Sequence, residues 1–410
     1  MKKLFALLLS LAMVLALVAC GQKDPTPDTP DTPDDPQTKV EYKVAMITDY
    51  GDITDQSFNQ TTYEACKAFA EDNSIEFSYF KPAGDNTADR VAMIEKAVND
   101  GFNVIVMPGY AFGGAIVEAA PEFPDVKFIA LDVAAGDLLE TAVAKAGEAY
   151  DYTPENWDLN KYVDMSNVYC AVYQEELCGY MAGYAAVKLG YKNLGFLGGM
   201  SVPAVVRYGY GFVQGVDAAA ADLGLTDVKL NYIYGGQFFG DADITAVMDT
   251  WYQGGTEVVF ACGGGIYTSA VDAAKKVNAK VIGVDVDQAG VIAKYAGVDG
   301  MTVTSAMKGL YPATYDTLTD VIVNGNWEKY VGKIETLGLV SGTDPEANYV
   351  QIPMGDGTQW SDSFTQDDYK AMVKDMFDGK ITVSNNTSSD VSAADFATVI
   401  TVDDQGSIKG

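Results

Sequence analysis

Three aspartates stand at the ends of short β-branched runs, in Thr48-Asp49, Leu131-Asp132 and Val284-Asp285. An ionised carboxylate accepts on two oxygens, which suits vicinal sugar hydroxyls or the donor edge of a base. Each charge-assisted bond of this kind contributes about 1.5–3 kcal/mol. The competing role for each aspartate is to cap the helix that follows it. Aromatic residues adjoin the same turns: Phe58 after Asp55-Gln56-Ser57, Tyr110 and Phe112 after Pro108-Gly109, and Phe238-Phe239 after Tyr234-Gly235-Gly236. A phenylalanine that opens a helix can serve as a core staple. Two rings facing each other across a cleft instead sandwich a flat heterocycle, at about 1–3 kcal/mol per stacked base. A third chemistry is carboxylate-based glycoside cleavage, with Asp49 and Asp132 as acid and nucleophile about 5–9 Å apart. The reading adopted is a binder, not an enzyme.

Composition removes most other chemistry. The chain of 410 residues contains no histidine, which excludes Ser-His-Asp and Cys-His nucleophiles and the commonest zinc ligand. It also predicts ligand affinity that is nearly flat between about pH 6 and 8. A formal net charge of −30 argues against nucleic acid, which needs clustered positive charge. No strand leads into G-x-G-x-x-G, and no G-x-x-x-x-G-K-[ST] is present, so nucleotide phosphates are not supported. Cys66, Cys170, Cys178 and Cys262 match no metal spacing. Cys66 and Cys262 read as buried thiols, and a Cys170–Cys178 bridge is not expected. No metal or cofactor is called for.

The N-terminus has a different character. Lys2 and Lys3 precede an apolar stretch from Leu4 to Ala19, the layout of a signal peptide over 1–19. Leu17-Val18-Ala19-Cys20-Gly21 looks like a bacterial lipobox, in which Cys20 carries the lipid. Two or more acyl chains on that cysteine anchor a protein stably. Residues 21–38 hold five of the 14 prolines and five aspartates, and such a segment stays extended and unpacked. Residues 20–40 are therefore expected to be a disordered tether below a folded body.

That body must be built to present the strand ends together. From Tyr42 onward, strands are expected at 42–48, 75–80, 104–107, 128–131 and 168–172. A second series follows at 194–197, 229–233, 258–261 and 281–284. Helices are expected at 58–72 and 86–100, and again at 205–223, 242–253, 266–278 and 286–295. Alternation of this kind predicts an α/β protein with two parallel sheets, each covered by helices. Ligands of open parallel sheets lie beyond the carboxyl ends of the strands.

Four motifs carry a resemblance: Thr48-Asp49-Tyr50-Gly51, Asp55-Gln56-Ser57-Phe58-Asn59-Gln60, Gly198-Gly199-Met200-Ser201-Val202-Pro203 and Val281–Gln288. From about 44 to 380 the chain resembles the basic membrane protein (BMP) family, lipoproteins similar to the purine nucleoside receptor of bacterial ABC importers. The resemblance implies a type I periplasmic-binding-protein fold, with two lobes joined by a three-segment hinge. Lobe 1 is expected at 41–174 with a return segment near 301–330. Lobe 2 is expected at 175–300 with a C-terminal segment near 331–385, and 386–410 as a tail. It further implies a purine nucleoside as ligand. Asp49 and Asp132 would take the base edge, Phe58 and Phe238 the base faces, and Asp285 and Lys308 the ribose. Gly263 would let backbone approach, and Asn59 belongs to the motif. Phe239 adjoins Phe238 as the alternative ring. The implied partners are an ABC permease and its ATPase, for a monomer anchored on the outer face of a bacterial cell membrane. Alternatives are riboflavin or a sugar as ligand, or a non-transporting sensory or surface lipoprotein. Residues 136–164, with Tyr150, Tyr152, Trp157 and Tyr162, look longer than the family needs and are candidates to cover the cleft.

Overall fold

Period-two apolar runs and period-3.6 amphipathic runs alternate along the chain, and each kind hides its apolar face in a different layer. In the computed structural model, which describes residues 41–409, that alternation gives two sheets. The signal peptide, Cys20 and the Pro/Asp tether expected at 1–40 lie outside the described residues. The first series runs β1 (Lys43–Ile47), α1 (Phe58–Asn73), β2 (Glu76–Phe80), α2 (Thr87–Asn99), β3 (Val104–Pro108) and α3 (Phe112–Ala119). It continues through β4 (Lys127–Leu131), α4 (Ala135–Lys145), α5 (Leu159–Tyr162) and β5 (Val168–Tyr173). The second series is α6 (Glu175–Lys188), β6 (Asn193–Gly198), α7 (Pro203–Asp222), β7 (Lys229–Tyr234), α8 (Ala242–Gln253) and β8 (Val258–Cys262). After it come α9 (Tyr267–Val277), β9 (Lys280–Asp285), α10 (Ala289–Ala296) and β10 (Thr302–Lys308). The last elements are α11 (Leu310–Leu318), β11 (Ile334–Leu337), β12 (Val350–Gln351), α12 (Gln366–Phe377) and β13 (Thr401–Ser407).

The first sheet has the order β11-β5-β4-β3-β1-β2 and is parallel throughout. The second has the order β12-β10-β9-β8-β6-β7-β13 and is parallel except for β12. Their central strands β3 and β8 are buried at every residue, as strands covered on both faces must be. All four cysteines from 66 onward are free and buried, including Cys170 and Cys178. Among the described residues no helix is long and apolar enough to cross a membrane.

Helix α6 lacked a readable signal because it is buried on nearly every face, so it shows no apolar stripe. It lies directly on α7. A Cβ at Gly211 would fall 2.1 Å from the Glu176 carbonyl oxygen, and one at Gly179 2.3 Å from that of Tyr208.

The chain passes between the sheets three times, after β5, after β10 and after β11. These crossings bond to one another: Gln174 N donates to Leu337 O, Gly309 N to Tyr349 O and Tyr349 N to Gly338 O. The assignment of segments differs from the sequence expectation. Strand β10, placed with lobe 1 by sequence, lies in the second sheet, while β11, placed with lobe 2, edges the first. A strand has no local mark of which sheet it joins; partner strands decide that.

The expected tail at 386–410 is also built in. Asp217 on α7 accepts from Thr398 N and Val399 N at 2.8 Å each, from Ile400 N at 3.1 Å and from Thr398 Oγ1 at 2.6 Å. Burial disfavours the charged Asp217, yet these bonds win and hold its carboxyl below the ordinary range. An acid depressed in the fold stabilises above its unfolded value, and that contribution is lost as pH falls through the folded value. Asp217→Asn is therefore expected to speed amide exchange at 401–407 and lower Tm at pH 7. The gap from wild type should close as the wild-type carboxyl protonates below its ordinary range. An equal gap at pH 7 and in acid below the ordinary carboxylate range would remove the anchoring role.

Candidate functional site

At the carboxyl ends of β1, β3 and β4 in one sheet, and of β8, β9 and β10 in the other, lies a cavity of about 370 Å³. Asp49, Phe58, Asn59 and Asp132 border it from the first sheet's side. Phe238, Gly263, Asp285 and Lys308 border it from the second. The eight ligand-site residues expected from sequence thus meet at one place, whereas Phe112 is buried away from it in the core of the first sheet. Its size falls within the range of small-molecule sites, about 300–1,000 Å³.

The aspartates face this site and do not cap helices, because other residues supply the caps. Asp55 accepts from Ser57 N, Asn59 N and Gln60 N at 2.9–3.1 Å, and so caps α1. Asp137 accepts from Ala134 N at 2.7 Å ahead of α4, and Asp287 from Ala289 N at 3.0 Å ahead of α10. Asp49 instead accepts on one oxygen from Tyr50 N and Gly51 N, both at 2.6 Å. Burial pushes its carboxyl up despite those bonds. Asp132 and Asp285 both adopt left-handed backbone, φ 59° and 64°. Short aspartate tolerates this region better than most residues, so each sheet turns a carboxylate into the cleft by the same device.

Lys308, 5% exposed, sits at the centre of the charge. Its Nζ lies 2.5 Å from Asp132, 3.6 Å from Glu175 and 3.7 Å from Asp285. Burial alone would lower its pKa, but the three carboxylates raise it and keep it charged. Arg207 Nε donates to Glu175 at 2.6 Å. Two cations therefore stand among three buried carboxylates. Glu175 and Arg207 lie outside the site residues expected from sequence. The one available signal was charge within the apolar sequences that became α6 and α7.

Contacts across the cleft close it. Ser57 Oγ donates to Asp285 at 2.5 Å, Gln288 Nε2 to Gln56 O at 3.2 Å, and Tyr50 OH reaches Met200 Sδ at 3.5 Å. Tyr208 OH, also unforeseen, donates to Asp285 at 3.2 Å. Phe58 has Lys308 Nζ 4.6 Å from its ring centroid, so the ring is a cation–π partner as well as a wall. Phe238 lies against glycine: a Cβ at Gly199 would meet its ring at 2.4 Å and one at Gly263 at 3.0 Å. Close approach at Gly263 thus serves this ring. Phe239 is at the rim and 56% exposed.

Two acceptor atoms are buried here without a donor, Asp132 Oδ1 and Asn59 Oδ1. Residues 136–164 border no part of the cavity; Tyr150 packs instead on Tyr152 and Trp157, and Trp157 on Tyr162. Flat affinity near neutral pH no longer follows from the missing histidine alone. Burial pushes Asp137 and Glu176 to about 7. Among the described residues no group of acids and cysteines is arranged to hold a metal ion.

The sequence profile of the Bmp family, described as "ABC transporter substrate-binding protein PnrA-like", matches residues 42–343. The "ABC transporter nucleoside-binding protein BmpA" of Lactococcus lactis is 26% identical over 92% of this chain and 96% of its own. An uncharacterised lipoprotein of Pyrococcus abyssi is 26% identical over 74% of this chain and 69% of its own. In fold, an ABC transporter solute-binding protein of Aeropyrum pernix matches with a TM-score of 0.60 at 20% identity. That match covers 84% of this chain and 88% of the other. The two parallel-sheet lobes with three crossings are the type I periplasmic-binding-protein architecture.

Proposed function

This chain belongs to the Bmp family of PnrA-like ABC transporter substrate-binding proteins, and we propose that it holds a purine nucleoside between its two sheets. The observation that carries this reading is the pair of donorless buried acceptors, Asp132 Oδ1 and Asn59 Oδ1, beside aromatic walls. A buried acceptor without a donor costs about 1–3 kcal/mol, more when charged. A ligand rich in N–H and O–H groups on a flat ring relieves that cost. Asp49, Asn59 and Asp132 take the base edge, Phe58 and Phe238 flank the base, and Asp285 and Lys308 take the ribose. The Lactococcus relative, named as nucleoside-binding, supports the same ligand class.

Function then follows from closure: the ligand binds the closed lobes better than the open ones and shifts their populations. No bond is made or broken. The loaded protein presents its ligand to a permease driven by an ATPase. Cys20 would anchor it by lipid to the extracytoplasmic face of the membrane, a placement that the lipoprotein relative supports.

Titration calorimetry with inosine, guanosine, adenosine, riboflavin and ribose tests the ligand class. A purine nucleoside is expected to bind with Kd below about 10 μM, about −6.8 kcal/mol. Riboflavin or ribose binding at that strength, with no nucleoside doing so, would sink the assignment. Phe58→Ala is expected to weaken all three purine nucleosides alike, by about 1–3 kcal/mol, because stacking is indifferent to base identity. A loss confined to one purine contradicts the stacking role.

A further inference from the structure

The last residues of the chain lie outside the stretch matched by the family profile, which ends at 343, yet they reach the turn that carries the cavity's aromatic wall. Strand β13 runs parallel to β7, pairing Thr401 with Lys229 and Ser407 with Tyr234. Ile408 N continues the ladder to Tyr234 O at 2.8 Å. This delivers Lys409 to the turn that follows β7, the segment carrying Phe238. Lys409 Nζ donates to Gln237 Oε1 at 2.8 Å and pairs with Asp241 Oδ2. Gln237 Nε2 in turn donates to Phe239 O and Asp241 Oδ2, each at 2.9 Å. The tail also covers Gly236, where φ is 80° and a Cβ would lie 2.8 Å from Lys409 O.

The opposite side of this turn is held by glycine backbone. Gly235 N and Gly236 N donate to Gly198 O and Gly199 O at 2.7 and 2.8 Å, and Gly265 N to Phe238 O at 2.9 Å. Glycine-rich segments have the most conformational freedom to lose, so a second clamp matters here.

We propose that the C-terminal strand braces the aromatic turn, with Lys409 the positioning residue that fixes Phe238 against the cavity. Lys409 does not border the cavity, so it acts on the ligand through the turn. The ligand arm of the test rests on the nucleoside reading; the brace itself does not.

The test uses the full chain, with inosine titrated into wild type, Lys409→Met, Lys409→Arg, Phe238→Ala and the Lys409→Met/Phe238→Ala double variant. Amide exchange at 236–241 is followed in parallel. Lys409→Met is expected to weaken inosine about fivefold, within the coupling seen between residues of one hydrogen-bond network, and to speed exchange at 236–241. Lys409→Arg is expected to restore both. In the Phe238→Ala background the same substitution should cost nothing further, because the ring it positions is gone. An undiminished loss in that background overturns the proposal, since Lys409 would then act elsewhere. If wild type takes up no inosine, the nucleoside reading falls and exchange decides the brace alone. Faster exchange in Lys409→Met supports it and unchanged exchange overturns it.

Discussion

Lys308→Met is expected to destabilise the protein by about 3–5 kcal/mol, the size measured when one partner of a buried ion pair is removed. Its ammonium is the near partner of Asp132, and it lies within 4 Å of Glu175 and Asp285 as well. Methionine keeps the volume and leaves three buried carboxylates to Arg207 alone. Closure should suffer with stability, because Lys308 comes from the second sheet and Asp132 from the first. Denaturant unfolding and inosine titration on the same samples would measure both losses. Adding Asp132→Asn removes one stranded charge and should recover part of the stability but none of the binding. A variant as stable as wild type would remove the pairing role of Lys308.

Asp285→Asn has the second largest expected effect, and it falls on binding. Both carboxylate oxygens are engaged, by Tyr208 and Ser57, with Lys308 nearby. An amide keeps the size and tolerates φ 64°, whereas alanine in left-handed backbone adds about 1–2 kcal/mol of strain. Asparagine is therefore the cleaner probe of charge. Inosine affinity is expected to fall by about 2–4 kcal/mol, since partner groups are left imperfectly paired in a buried site. Affinity for the free base hypoxanthine should change little, because the assigned partner is the ribose. Equal losses for nucleoside and base would move Asp285 to the base edge.

Much of the fold is legible in the sequence itself. The expected helix at 242–253 has the observed bounds, and the strand expected at 258–261 gains one residue. These segments carry their own periodicity, so short-range reading suffices. α3 carries Gly113-Gly114 and is apolar on almost every face, and α6 is buried nearly all round; neither shows a stripe. β13, Thr401–Ser407, is polar and mostly exposed, so nothing in its residues announces a strand. Its partner β7 and the bonds that Thr398, Val399 and Ile400 donate to Asp217 decide it.

The candidate site divides along the same line. Asp49, Asp132 and Asp285 stand out in the sequence because strand–turn junctions mark themselves with β-branched runs and turn residues. Whether they cap helices or face a ligand was undecided, because both roles look alike over five residues. Only the folded chain separates them, by giving the caps to Asp55, Asp137 and Asp287. Glu175, Arg207 and Lys409 belong to no motif; strand order and the three crossings bring them in across distances of up to 172 positions. Local patterns are set by neighbours a few residues apart, so sequence alone determined the strongly periodic elements and the carboxylates at strand ends. Convergence is set by sheet order and closure, which depend on the whole chain packing at once. Tertiary structure alone therefore decided the charge network, the capping residues and the braced turn.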